Sequence, residues 1–442
     1  MASTATAQEI TLRPAEPADT DELARIVYEA FGDIHDHHRF QRDFPAIEAA
    51  AGMMGAWIPH PAVWGVVAEA DGKIVGSNFL DERDPIRGVG PITIDPKAQN
   101  VGVGRRLMEA VVDRGKQAPG IRLLQDGFHM RSLSLYTRLG FDTKAPCIVM
   151  QGEPRGAPAD GVEVRPDDAE ACARIVFEAF GAIHDHHRFP RDFPVLEAAI
   201  GMMSMWIPHP AVWGVVAERD GRVVGSNFLD ERDPIAGVGP ITVDPEGQNA
   251  GVGRRLMEEV LERGKDAPGI RLAQDGFHMR SLSLYASLGF DVTAACVLVS
   301  GMPQGPYAGG VEARPLTEDD VDECEQLCKA VHGFERTGAL RDALQAFAPF
   351  VGVRDNRIVA YASTLTFWPM AYGVAESTED MTGLVHSAAA LLEEPLSMLV
   401  PLRSGLFRWS LEQKMRAVKP MNVMSRGEYQ EPRGSWFPSV IY

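Results

Sequence analysis

The chain repeats itself at an offset of 149 residues, and no other feature limits its fold as strongly. Gly102-Val-Gly-Arg-Arg-Leu-Met108 returns as Gly251 to Met257, Ile34-His-Asp-His-His-Arg-Phe40 as Ile183 to Phe189, and Asp126 to Tyr136 as Asp275 to Tyr285. A repeat of this length means that the fold is built from copies of one unit. The register slips only near the start, where Arg13-Pro14 pairs with Arg165-Pro166 at an offset of 152, read as a three-residue deletion in the first helix of the second copy. Joints rich in Gly and Pro at 151–161 and 300–310 punctuate the chain. Behind the second joint, Val311-Glu-Ala-Arg-Pro315 repeats the strand Val162-Glu-Val-Arg-Pro166, and Val353 to Ala360 is similar to Ala217 to Gly225. Three units are expected, at 8–151, 161–300 and 311–442, the last without the Gly-Val-Gly and Ser-Leu-Tyr runs.

Charge narrows the partners. With 61 acidic against 43 basic residues the formal net charge is −18, which repels nucleic acid and anionic membrane surfaces, so neither is expected as a partner. Five scattered cysteines make no disulfide framework. The N-terminal segment lacks the basic and apolar regions of a signal peptide, and no apolar run reaches the ~18 residues of a membrane span, so a cytoplasmic protein is expected.

Within a unit, Val63 to Ala68 and Ile74 to Leu80 around Asp71-Gly72 read as a hairpin, and Gly90 to Ile94 as a further strand. Leu107, Val111 and Val112 mark one face of a helix from Gly104 to Gly115, Ile121 to Leu124 a short strand, and Ser132 to Leu139 a helix closed by Gly140. The fold class expected is α/β, a mixed and mostly antiparallel sheet flanked by helices, repeated three times.

Between strand and helix, Gln99-Asn-Val-Gly102-Val-Gly104 makes a turn whose successive N–H groups converge at a helix N-terminus, a nest for phosphate, and Arg105 and Arg106 add charge. It is neither a Walker loop nor a dinucleotide fingerprint. Together with Ser132-Leu-Ser-Leu-Tyr136-Thr-Arg-Leu-Gly140-Phe141 one strand and one helix later, this stretch resembles the GNAT superfamily of acyl-CoA-dependent N-acetyltransferases, and the resemblance covers both 149-residue copies. It implies acetyl-CoA or another acyl-CoA as cofactor. It places the pyrophosphate turn on Gln99, Gly102, Val103, Gly104 and Arg105, repeated as Gln248, Gly251, Val252, Gly253 and Arg254. It places the pantetheine and oxyanion strand on Ile92 and Ile94, and on Ile241 and Val243, splayed from its neighbour. Tyr136 and Tyr285 fall on the position that protonates the leaving thiolate.

This chain departs from the family pattern at two places. Where many members carry a cofactor-contacting Asn stand His129 and His278, and the strand position often held by a Glu base offers Thr93 and Thr242. Asp81, Glu82 and Asp84, with Asp230, Glu231 and Asp233, are nearby acids in what reads as a solvated turn, and ordered water is the other route for the proton. The cluster His35-Asp36-His37-His38 and its twin from His184 to His187 admit three readings: lining of the acceptor cleft, together with Trp57 and Trp206, structural hydrogen bonding, or metal ligation. No metal site is assigned. Cys147 and Cys296 read as equivalent strand positions packed in the core, so direct attack is expected over an acyl-cysteine. The expected function is transfer of an acetyl or short acyl group to a small-molecule amine, the enzyme being a monomer or a homo-oligomer. A CoA-binding sensor without turnover and a metal-dependent enzyme built on the His clusters stand as alternatives.

Overall fold

Strand residues that alternate between two cores set the architecture. Val66 and Ala68 of one strand bury against a first set of helix residues, while Val67 between them buries against a second, as the period of two dictates. The computed structural model describes residues 10–99, 102–149, 163–165, 169–245, 251–307 and 309–440. They form two compact units, one ending at Leu135 and the other beginning at Tyr136.

The first unit runs β1 (Ile10–Pro14), α1 (Thr20–His38), α2 (Ile47–Trp57), β2 (Val63–Ala70), β3 (Lys73–Asp81), β4 (Ile86–Val89), β5 (Thr93–Ile94), α3 (Val103–Gly115) and β6 (Gly120–Arg122). Helix α4 (Met130–Arg138) straddles the division. The sheet order is β1-β2-β3-β4-β6 with β5 on β3, and only the β4–β6 pair is parallel. Asp71 and Gly72, at φ 51° and 72°, make the β2–β3 hairpin turn. Val103, Leu107 and Val111 of α3 pack on one face of this sheet with Leu80, and Leu23, Val27, Ala50 and Met54 of α1 and α2 pack on the other with Phe79.

The second unit repeats this order as β7 (Glu163–Arg165), α5 (Ala169–His187), α6 (Leu196–Trp206), β8 (Val212–Arg219), β9 (Arg222–Asp230), β10 (Ala236–Val238), β11 (Thr242–Val243), α7 (Val252–Arg263), β12 (Gly269–Asp275), α8 (Met279–Ser287) and β13 (Asp291–Gly301). A third run follows: β14 (Glu312–Pro315), α9 (Val321–His332), α10 (Thr337–Ala346), β15 (Phe350–Arg354), β16 (Arg357–Ala362), β17 (Gly373–Ala375), α11 (Thr378–Ala389), β18 (Leu396–Pro401), α12 (Gly405–Glu412), β19 (Arg416–Gly427) and β20 (Ser435–Phe437). Its first four strands and its last form a five-stranded sheet, β14-β15-β16-β17-β20, while β18 and β19 lie outside it. Those two strands instead join the second copy in a nine-stranded sheet, β18-β13-β19-β12-β10-β9-β8-β7 with β11 on β9. Strand β19 lies between β12 and β13, paired antiparallel to both, so the sheet crosses the joint at 300–310. The mixed α/β class repeated along the chain is what the structure shows.

Four local readings change. Helices α1 and α5 keep the 149-residue offset from Thr20 and Ala169 to His38 and His187, so the three-residue deletion does not fall within their described residues. The strand expected over 90–94 shortens to the two-residue β5, Thr93–Ile94, and a separate strand, β4, precedes it at Ile86–Val89. The strand expected over 121–124 ends at Arg122, and Leu124 is 94% exposed. Cys147 and Cys296 are not equivalent strand positions: residues 142–149 form no strand and Cys147 is exposed, whereas Cys296 is buried in β13. The physical reason is pairing, because β13 has β18 and β19 as neighbours. No helix among the described residues is long and apolar enough to cross a membrane.

Candidate active site

The second copy lies within one unit, and its site can be assembled from the sheet upward. Strand β10 pairs with β12 in parallel at only two positions, Ala236 with Ile270 and Gly237 with Arg271. Beyond them β11 pairs with β9 alone, while β12 continues to Asp275 along β19. The two strands therefore part near Val238, leaving a slot edged by Ile241 and Val243. Close approach of β9 and β11 depends on Gly225, where a Cβ would sit 2.8 Å from the Thr242 carbonyl oxygen. In the first copy, β4 and β6 likewise pair only from Ile86 to Gly88, with Ile92 and Ile94 beyond the break.

Helix α7 opens at the end of this slot. Gly251, its N-cap, has φ 78°, and the first helical bond runs from Arg255 N–H to the Gly251 carbonyl. The N–H groups of Val252, Gly253 and Arg254 thus precede the intrahelical ladder and are directed outward, as at any helix start. A Cβ at Gly253 would lie 3.6 Å from Val243 and 3.7 Å from Leu284, so the glycine turn, β11 and α8 meet here. Arg254 donates to Ser287 Oγ at 2.7 Å, tying the turn to α8. The first copy matches: Gly102 caps α3 at φ 88°, and Gly104 would meet Ile94 at 3.0 Å and Leu135 at 3.7 Å, with Val103 buried and Arg105 half-exposed. Gln99 accepts from Arg131 at 3.1 Å. Gln248 lies outside the described residues.

Tyr285 is buried on α8, its ring 6.3 Å from Phe290, and burial, with Asp275 adding to it, raises its phenol above the ordinary range. The hydroxyl keeps its proton through neutral pH. Tyr136 is buried on α4 with Phe141 at 6.3 Å. His278 caps α8, and burial pushes its imidazole down to about 4 while Asp275 pulls the other way. His129 is likewise pushed down to about 4 by burial. Both rings are neutral at pH 7, one nitrogen donating and the other accepting. Cys296 is fully buried and its thiol is raised by burial, which disfavours an acyl-cysteine.

The His clusters divide. Phe277, next to His278, packs against His184 at 5.4 Å and His187 at 5.5 Å and stacks on Phe189, and Phe128 does the same with His35, His38 and Phe40. Trp57 and Trp206 instead lie edge-on to Phe79 and Phe228 in the helix cores. Neither tryptophan joins the histidines. What sequence reading missed is the charge beside them: Lys419 of β19, fully buried, donates to Asp192 at 2.6 Å, Asp275 at 2.7 Å and His184 Nε2 at 2.9 Å. Burial works against that ammonium, but the two carboxylates prevail and hold it protonated, and it in turn holds Asp275 below the usual carboxylate range against burial. The signal for the aspartates was present, since Asp43/Asp192 and Asp126/Asp275 recur at the 149-residue offset; nothing pointed to Lys419.

In the third run, the helix at the equivalent place, α11, starts on Ser377, whose Oγ accepts from Asp380 N–H at 3.1 Å. A side-chain cap and two acidic residues, Glu379 and Asp380, stand where the other copies offer bare N–H groups and arginines.

A family model described as the acetyltransferase (GNAT) family matches residues 21–141 and 176–290. The mycothiol acetyltransferase of Thermomonospora curvata is 26% identical over 249 residues, 53% of this chain and 80% of the relative. That of Salinispora arenicola is 28% identical over 309 residues, 63% of this chain and 91% of the relative. Among solved structures, a Pyrococcus horikoshii protein bearing an acetyltransferase assignment shares the fold at a TM-score of 0.51 and 17% identity, covering 65% of this chain and 98% of its own.

Proposed function

Because the chain belongs to the acetyltransferase (GNAT) family, whose model matches more than half of it, we propose that it moves an acetyl group from acetyl-CoA to the amine of a small molecule by direct attack. Acetyl-CoA supplies the activated acetyl thioester. The reading rests above all on the meeting of three elements in the second copy: the open slot beside β11, the outward N–H groups of Val252 to Arg254, and the buried Tyr285 phenol.

The pyrophosphate is held by backbone N–H groups and by Arg254 or Arg105, a local positive site on a chain whose net charge of −18 repels anions. Pantetheine lies along Ile241 and Val243, or Ile92 and Ile94. A neutral amine forms the new C–N bond as the C–S bond breaks, and Tyr285 or Tyr136 passes its proton to the leaving sulfur and regains one through the water that receives the amine proton. Neutral His278 and His129 orient the reacting groups by accepting or donating, and the amine proton passes to water. His38 and His187 border the acceptor side through their packing on Phe128 and Phe277. The names of the relatives put mycothiol and its unacetylated form at the head of the acceptor panel.

The test is release of CoA thiol with an amine panel, alongside calorimetric titration of acetyl-CoA. Phe at both Tyr136 and Tyr285 is expected to lower turnover about 100-fold with cofactor affinity within about twofold. Glu at both Gly104 and Gly253 is expected to abolish binding. Undiminished turnover in the first variant removes the acid role, and undiminished binding in the second removes the glycine turns as the cofactor site.

A further inference from the structure

One constellation, present once in each copy, is not used by acetyl transfer. His35, Asp43 and Asp126 bring a ring nitrogen and two carboxylates within 4.8 Å of one another, and His184, Asp192 and Asp275 do the same. The histidine tautomer is set identically in both. His35 Nδ1 lies 2.8 Å from the Phe31 carbonyl and His184 Nδ1 2.7 Å from the Phe180 carbonyl, so Nδ1–H donates to the backbone and the Nε2 lone pair faces the carboxylates. An imidazole fixed in this way by its other nitrogen is what a cation ligand requires.

The second triad already grips a cation. Its three acceptors take the three N–H bonds of the Lys419 ammonium at 2.6, 2.7 and 2.9 Å. That ammonium arrives on β19, which pairs along β12; among the described residues of the first unit, β6 has only β4 as a partner and no strand brings a lysine to the triad. The side chain of Asp43 is accordingly 55% exposed where that of Asp192 is 8% exposed. The same acceptors that hold a built-in charge in one copy stand open to a diffusible one in the other.

We propose that His35 Nε2, Asp43 and Asp126 form a divalent-cation site, and that Lys419 is the covalent replacement for that cation in the second copy. Charge admits a divalent ion, because the exposed Asp43 and the partly buried Asp126 offer up to two negative charges, more than one ammonium balances. One imidazole nitrogen with two carboxylate oxygens suits zinc, manganese or cobalt. Metal–ligand bonds of about 2.0–2.2 Å place neighbouring ligand atoms roughly 3–3.5 Å apart, and His35 Nε2 lies 3.5 Å from Asp43 Oδ1. Water completes the shell on the open side.

Co2+ is the probe, titrated into tag-free full-length protein and followed by visible absorption and by metal count after desalting. One ion per chain is expected, lost in the double variant Asp43→Asn, Asp126→Asn. Lys419→Met is expected to raise the count to two, with its melting temperature now dependent on Co2+. Absence of binding in the unaltered chain, or binding undiminished in the double variant, overturns the site; a folded Lys419→Met that still binds one ion overturns the replacement. Where Lys419→Met does not fold, the unaltered chain and the first-copy variant decide alone. Methylammonium is the competing probe: stabilisation by it and not by Co2+, dependent on Asp43 and Asp126, shows an ammonium site and also overturns the proposal.

Discussion

His278 shows burial setting a protonation state that ordinary solution chemistry does not. Its imidazole loses its proton near pH 4 in the folded chain, against roughly 6.5 for an unperturbed histidine. Between those values the unfolded chain binds the proton and the folded chain refuses it. Stability tied to this residue is therefore complete above about pH 6.5 and lost as pH falls toward 4, by about 1.4 kcal/mol per pH unit at most. Urea unfolding of His278→Gln and the unaltered chain at pH 7 and pH 5 is expected to show the larger decline in the unaltered chain; equal declines contradict a buried neutral imidazole. Tyr285 is the opposite case, a phenol whose burial holds its proton more firmly.

At the scale of elements, the copies differ in how their helix starts are capped. Helices α3 and α7 begin on glycines at φ 88° and 78°, a conformation an L side chain adopts only with strain, and no side chain caps their first N–H groups. Helix α11 begins on Ser377, which spends its side chain on one of those groups. Gly102 has open space around a would-be Cβ, so Gly102→Ala meets no steric obstacle and costs the left-handed conformation alone. A loss of about 1–2 kcal/mol in urea unfolding is expected; a neutral outcome shows that the turn relaxes and that the glycine is not required by geometry.

At the scale of the molecule, the decisive strand is β19. It belongs to the third run by sequence and to the second copy's sheet by hydrogen bonds, with Gly269 to Asp275 on one side and Asp291 to Ser300 on the other. Met424 from this strand is 1% exposed in a core otherwise built from the second copy. Met424→Ala is expected to destabilise by about 2–5 kcal/mol and to shift the unfolding of Tyr136–Tyr442 as one transition, monitored by circular dichroism and tryptophan fluorescence. Two transitions that respond separately contradict a shared core.

The repeat, the alternation of strand residues, the glycine turn and the tyrosine helix were legible along the chain because each depends on neighbours a few residues away. Hairpin turns such as Asp71-Gly72 and caps such as Gly102 are local chemistry, and the 149-residue offset multiplies whatever one copy shows. The insertion of β19, the exposure of Cys147 against the burial of Cys296, and the seating of Lys419 among His184, Asp192 and Asp275 were not legible. Each depends on which strand lies beside which, and pairing between residues 144 positions apart, such as Asp275 and Lys419, leaves no periodic trace in the sequence. Sequence alone determined the family of folds and the glycine helix starts; tertiary structure decided which triad is filled from within and which stays open, because a buried charge is stable only where the fold delivers its partners.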